Sequence, residues 1–434
     1  MLNARGPFSA LVLRAHKGLT MKLKHVFVTG YAALAVLFGC SEQESGRLPS
    51  DPDGSFVTSD KKVLLQQKRT FSFQDAGVWV SNEFSGGRLD DLTQVNDSVY
   101  TALMVAENAP INNSAWYAFK VWGDKKRKIS FNLTYKHGTH RYHPKISRDA
   151  ENWVRLDSVF YAPDTANGTA SMKLEIGSDT VWVAGQELIV SKDFEQLVER
   201  FSAHSFVTKS IIGTSKLGKP LQQLQITEAE NDRNNIVIIG RQHPPEVTGT
   251  IGLVAFLETI CGDTELAQTF RKRFNIIAIP LVNPDGVDNG HWRHNAAGVD
   301  LNRDWAAFNQ PETRALRDEM LKIANDPARN VYLFLDFHST WKDIFYSMSK
   351  DLKTKPADFT DRWLARIKET FPDYEITERP SAAVRPISKN WFYNTFKCPS
   401  ITYEFGDRTD RELIRKISTG AAVTMMELLL DDVR

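Results

Sequence analysis

The stretch IVIIGRQHPPEVTG at residues 236–249 reads as a strand that ends at Gly240 and a turn that leads into the apolar helical run TIGLVAFLETI. An apolar, β-branched run of this length has the composition of a strand covered on both faces. His243 and Glu246 follow just beyond its end, three residues apart. From such a turn a neutral imidazole and a carboxylate can point at one ion. His338, which ends a later strand, can complete the set. Three protein ligands leave a coordination position open for water, as in a catalytic zinc site, so the segment points to metal-assisted hydrolysis.

Working outward, FNIIAIPLV at 274–282, VYLFLDF at 331–337 and SITYEF at 400–405 read as further central strands. The helical stretch DFEQLVERFS precedes these strands, and PETRALRDEMLKIA and DFTDRWLARIKETF lie between them. This alternation predicts an α/β fold over residues 191–434, a mixed central sheet flanked by helices on both faces. His243, His338 and Glu404 all stand at or near strand ends, where open α/β sheets bind ligands. Residues 70–190 carry short alternating runs instead, including GVWVSNEF, SVYTALMV, AWYAFKVW and KISFNLTY. In the last, Ile129, Phe131, Leu133 and Tyr135 share one face, the period of a half-buried strand, and a small β-sandwich is the economical packing. Its aromatics Trp79, Trp116, Tyr117, Phe119, Trp122 and Trp182 read as core rather than as a stacking platform.

Upstream, residues 41–69 form a polar, Pro-, Gly- and Ser-containing tether. From Met21, MKLKHVFVTGYAALAVLFGC has the basic start and short apolar stretch of a signal segment, with Met21 the expected true start and residues 1–40 the whole segment. LFGC resembles a bacterial lipobox, which implies lipidation at Cys40 and an exported, periplasm-facing or outer-membrane lipoprotein. Cys261 and Cys398 read as separate buried thiols. A composition of 42% hydrophobic and 25% charged residues is that of a globular protein, and a net charge of +1 leaves no basic excess for nucleic acid.

Four blocks in order carry a resemblance: HPPE at 243–246, NPDGVDNGHWRHNAAGVDLNRDW at 283–305, VYLFLDFHST at 331–340 and SITYEFGD at 400–407. Together they resemble the zinc carboxypeptidases, most closely the cytosolic carboxypeptidase branch with its deglutamylases. FSGGRLDDLTQVNDSVYTALM and NNSAWYAFKVW are similar to the β domain of that branch. The resemblance implies one zinc per chain on His243, Glu246 and His338, with Glu404 as general base and Arg293 stabilising the oxyanion. It implies that Asn302 and Arg303 hold a substrate's terminal carboxylate. Asp300 matches a carboxylate that orients a ligand imidazole; Asp336 suits a similar role or the capping of a backbone amide.

Two features depart from the digestive members of the family. NWFYN aligns Tyr393 with a tyrosine that those enzymes share, but Ala382 stands eleven residues earlier, where they carry a mobile tyrosine. Arg293 is then left as the oxyanion donor. No inhibitory prosegment is recognisable either. The same alignment brings Lys389, with Arg385 assisting, to the position that sets side-chain preference, which implies a taste for acidic termini. The expected function is a zinc metallocarboxypeptidase acting on peptides. The alternatives are a carboxypeptidase or amidase acting on peptidoglycan stem peptides, an acyl-amino-acid deacylase, and a non-catalytic binding lipoprotein, the last expected to have a broken metal or base position.

Overall fold

A computed structural model describes residues 58–433 with the exception of residue 232. The predicted signal segment, Cys40 and most of the tether lie outside the described residues.

Two antiparallel-rich sheets occupy residues 70–184. One orders Thr70–Phe73, Val78–Ser81, Ala118–Gly123, Val181–Ala184, Lys145–Ser147 and Val154–Arg155. The other orders Asp91–Asn96, Val99–Val105, Arg127–Lys136, Thr169–Ile176 and Tyr161–Asp164. Their facing side chains, among them Val78, Val80, Phe119 and Val121 against Tyr100, Met104, Phe131 and Leu133, merge into one buried core, so the pair is a sandwich. The aromatic expectation holds for Trp116, Tyr117 and Phe119, which are buried. It is corrected for Trp79, Trp122 and Trp182. Strand alternation turns these three to the outer face, where each is half-buried and Trp79 stacks on Trp122 at 6.4 Å.

The second layer system is a seven-stranded sheet in the order Val207–Thr214, Pro220–Ile226, Asn275–Ile279, Asn234–Gly240, Asn330–Thr340, Ser400–Gly406 and Ile344–Tyr346. Asn275–Ile279, Asn234–Gly240, Asn330–Thr340 and Ser400–Gly406 run parallel, and the remaining strands add antiparallel edges. Asn234–Gly240 explains why the sheet is covered twice. Ile236 and Ile238 join Leu253, Phe256, Trp363 and Met425 on one face, while Val237 and Ile239 join Leu316, Met320 and Phe392 on the other. The predicted helices are found at Ser191–Ser202, Val247–Ile260, Pro311–Ala324 and Phe359–Thr370. Helix Arg411–Asp432 and strand Val207–Thr214 are absent from the sequence reading. The helix points Glu412, Arg415 and Lys416 outward in its first turns, and from Ser418 on small and apolar residues are buried on several sides, so no single stripe runs its length; the strand is largely exposed and does not alternate. Cys261 and Cys398 are free and buried, as expected.

Helix Val247–Ile260 starts directly after Glu246 and lies on strand Asn330–Thr340 with almost no gap. A methyl group built on Gly249 sits 2.7 Å from the carbonyl carbon and 2.9 Å from the amide nitrogen of His338. Only hydrogen fits, because backbone cannot give way as a flexible side chain can. Gly249→Ala is therefore expected to lower the unfolding free energy by about 1–3 kcal/mol. Gly177→Ala, where a methyl meets nothing within 4 Å, is the matched control. Denaturant titration of the two variants checks this, and equal midpoints would remove the close-approach argument.

Candidate active site

The carboxyl ends of the parallel strands bring His243, Glu246 and His338 together. Their ligand atoms all lie within 4.8 Å of one another, and all three residues are buried. His243 leaves the turn after Gly240, and Glu246 is the residue before the helix that follows, its carboxylate turned to the histidines instead of capping the helix. His338 sits inside its strand, directly beside Glu404 of the neighbouring parallel strand.

Each imidazole is held from behind by a carboxylate. His243 Nε2 lies 2.9 Å from Asp300 Oδ1, and His338 Nε2 lies 2.9 Å from Asp336 Oδ2. A carboxylate can only accept, so each ring keeps its proton on Nε2 when a metal ion replaces the proton that Nδ1 shares with the carboxylate at the centre. There Glu246 offers Oε1 2.8 Å from His243 Nδ1 and Oε2 2.7 Å from His338 Nδ1. Burial alone disfavours the charged form of Glu246, but the two imidazoles outweigh it and hold the carboxyl well below its usual range. Burial likewise opposes a charged His338, yet Asp336 and Glu246 raise it well above the ordinary histidine value. Two nitrogen lone pairs and a carboxylate converging in a negative field form a donor set that fits a zinc ion in place of protons. Asp336 is itself held by the Gln242 side-chain amide at 2.6 Å and by the Ser388 hydroxyl; Trp305 donates to Gln242 Oε1 at 2.9 Å. Of its two expected roles, Asp336 therefore has the one toward the histidine.

Around the donors opens a cavity of about 510 Å³, lined among others by Arg293, Asn302, Arg303, Tyr346, Arg379, Arg385, Lys389 and Glu404. Arg293 donates from Nε to Asp300 Oδ2 at 2.6 Å, so one carboxylate steadies both the arginine and His243. Asn302 is fixed by its Oδ1, which accepts from Ser388 N at 2.9 Å, and Arg303 Nη1 donates to the Asn302 carbonyl at 2.8 Å. Burial, then the charge of Glu246, push Glu404 up to about 7. A cation among the three donors opposes that shift and favours the carboxylate.

Lys389 lies in the cavity wall, but its ammonium is already engaged. It donates to the Ser347 carbonyl and to Ser381 Oγ, each at 2.9 Å, and burial, then Arg385, push its pKa down to about 7. Arg379 and Tyr346 line the same space and are missing from the sequence reading. Tyr346 brings a phenol from edge strand Ile344–Tyr346, whereas Ala382 supplies none and Tyr393 donates to the Lys353 carbonyl at 3.2 Å. The sandwich contributes Asn112, Asn113, Ser114 and Arg141 to the wall, and Arg141 Nε donates to Asp407 Oδ2 at 2.9 Å. Nothing in strand periodicity marks these residues.

Comparison with known proteins agrees with this geometry. Residues 194–420 match the zinc carboxypeptidase family, and residues 80–185 match the cytosolic carboxypeptidase N-terminal domain. An uncharacterized protein of Zymomonas mobilis is 24% identical over 361 residues, which cover 78% of this chain and 90% of the relative. Mouse cytosolic carboxypeptidase 6 is 23% identical over 282 residues, 59% of this chain. That match spans 52% of the mouse protein, about half its length. Among solved structures, a metallo-carboxypeptidase from Burkholderia cenocepacia superposes with a TM-score of 0.68 at 19% identity, covering 82% of this chain and 99% of its own. A metallo-carboxypeptidase from Pseudomonas aeruginosa, in complex with (2-guanidinoethylmercapto)succinic acid, gives 0.67 at 20% identity, with 82% and 100% covered. At these identities the superpositions establish the shared fold.

Removing a ligand and removing its support are expected to differ in degree. His243→Ala and His338→Ala should lose stoichiometric zinc, while Asp300→Asn and Asp336→Asn should retain it with about 10- to 100-fold weaker affinity. Elemental analysis and competition with a chelating dye check both; stoichiometric zinc in either alanine variant would sink the donor set.

Proposed function

The chain belongs to the zinc carboxypeptidase family, and from that premise we propose that it is an exported metallocarboxypeptidase removing a carboxy-terminal residue, preferentially an acidic one, from peptides. The observation that supports this reading is the convergence on one cavity of the donor trio with Glu404, Arg293, Asn302 and Arg303. When bound, zinc supplies a Lewis acid that polarises the scissile carbonyl and acidifies water. The chain's residues do the rest. Glu404, beside His338 at the cavity wall, takes the proton of the attacking water and returns it to the departing amine. Arg293, held rigidly by Asp300, meets the charge that grows on the carbonyl oxygen, an interaction that strengthens toward the transition state. Arg303 and the Asn302 amide hold the terminal carboxylate, which restricts cleavage to the chain end.

Charge supports the acidic preference. The cavity wall carries six basic side chains, Arg141, Arg293, Arg303, Arg379, Arg385 and Lys389, against the two carboxylates Glu246 and Glu404; with Arg141 and Arg293 paired to Asp407 and Asp300, the excess rests on the other four. In a partly dewatered cavity such an excess favours an anionic side chain over a neutral or cationic one. The hydrogen bonds of Lys389 make it a weaker single determinant than its position in the sequence implied, so Arg379 and Arg385 share that role. The signal-like segment ending at Cys40 supports an exported, lipid-anchored location.

Three measurements test the proposal. Glu404→Gln is expected to keep zinc and lose about 10² to 10⁴ in turnover, since an amide cannot accept the proton; near wild-type turnover would assign the base elsewhere. Arg303→Ala should chiefly raise KM, and wild-type enzyme should strongly prefer free-acid over amidated peptides. Peptides identical except for a terminal Glu, Leu or Lys, assayed beside muropeptides, should be cut fastest with Glu. A clear preference for Leu, Lys or muropeptide would overturn the acidic-peptide reading.

A further inference from the structure

The loop that carries Arg293 is held by the strand sandwich. Trp292 is fully buried within the sandwich core, with Tyr135 edge-on at 6.2 Å and its indole N–H donating to the Trp116 carbonyl at 3.1 Å. Next to it lies Glu107, a fully buried carboxylate two residues beyond strand Val99–Val105. Glu107 accepts three consecutive backbone N–H groups: Oε2 from Trp292 at 2.8 Å, and Oε1 from Arg293 at 2.9 Å and His294 at 2.7 Å. Burial alone raises the Glu107 carboxyl, but His291 and His294 and the amides outweigh it and hold it at about 2. Asn108 extends the grip by donating to the Gly298 carbonyl at 2.8 Å.

An arginine side chain is long and flexible, so where its guanidinium stands depends on the backbone from which it springs. Three N–H groups aimed at one carboxylate fix the peptide planes from Trp292 to His294. From that base Arg293 reaches Asp300, whose other oxygen meets His243. Only a carboxylate presents acceptors on both oxygens; an amide at this position turns an NH2 group toward a backbone N–H.

We propose that Glu107 is a positioning residue for Arg293: by clamping the backbone of residues 292–294, the strand sandwich aims the guanidinium into the cavity and so completes the catalytic site. This rests on the reading of Arg293 as the oxyanion donor.

The test is a double-mutant cycle in the full chain, with kcat, KM, zinc content and melting temperature measured for Glu107→Gln in wild-type and Arg293→Ala backgrounds. Glu107→Gln is expected to lower kcat by at least about tenfold, with KM within about threefold and zinc retained, the signature of an interaction made in the transition state. In the Arg293→Ala background the same change should lower kcat by less than about twofold, because its effect is transmitted through the missing guanidinium. Equal kcat losses in both backgrounds would show a merely structural role and overturn the proposal while leaving the Arg293 reading intact. An unaltered kcat in Arg293→Ala alone would overturn that reading and the proposal with it. Should Glu107→Gln not yield folded protein, Glu107→Asp keeps the charge but draws both acceptors back by one methylene, and the same comparison of backgrounds decides.

Discussion

Three carboxylates and two imidazoles are packed almost without solvent where the parallel strands end: Glu246, Asp300 and Asp336 with His243 and His338. Burying charge in this way is costly unless each group is paired and hydrogen-bonded, and much of the surrounding structure follows from meeting that demand. Asp336 takes His338, Gln242 and Ser388; Asp300 takes His243, Arg293 and the Asn302 backbone N–H. Three loops from distant parts of the chain are therefore tied to one cluster, and each tie also sets the direction of a donor atom. The site has little freedom to rearrange, which is what preorganised catalysis in a buried site needs.

The same constraint explains why the strand sandwich cannot be regarded as an appendage. It gives up core space to Trp292, sends Arg141 to Asp407, and receives Arg411 on Glu187 at 2.9 Å. Its own loops form one wall of the cavity. A loop pinned at one end to Asp300 and at the other to the sandwich has two independent restraints, and losing either returns conformational freedom to the residues between them.

Inside the cavity, charge is unevenly distributed. The carboxylates Glu246 and Glu404 gather at the strand ends, and the basic side chains surround them from loops, from the helical turn Leu301–Arg303 and from the start of helix Ser388–Phe396. Lys389 shows how burial constrains a charged side chain that lines the cavity. A buried ammonium must satisfy its donors somewhere, and here the Ser347 carbonyl and the Ser381 hydroxyl take them.

Much of this was legible in the sequence because it is local. The β-branched runs at 236–240, 331–337 and 400–405 marked strands buried on both faces, and the His243/Glu246 spacing after the first of them marked the donor turn. The alternation in KISFNLTY marked a half-buried strand of the sandwich. What the sequence could not disclose depends on contacts between segments far apart in the chain. Helix Arg411–Asp432 lacks one continuous stripe because its exposed, charged first turns give way to a stretch buried on several sides, and Trp79, Trp122 and Trp182 share their residue type with core aromatics while facing outward. Glu107 sits in VAENAP, which reads as an ordinary loop; its role exists only because folding brings it to amides 185 to 187 residues away. Periodicity records which face of an element is buried. Which partner a buried polar group finds, and hence what it positions, is settled by the tertiary structure, since hydrogen-bond satisfaction in the interior depends on three-dimensional neighbours rather than on sequence neighbours.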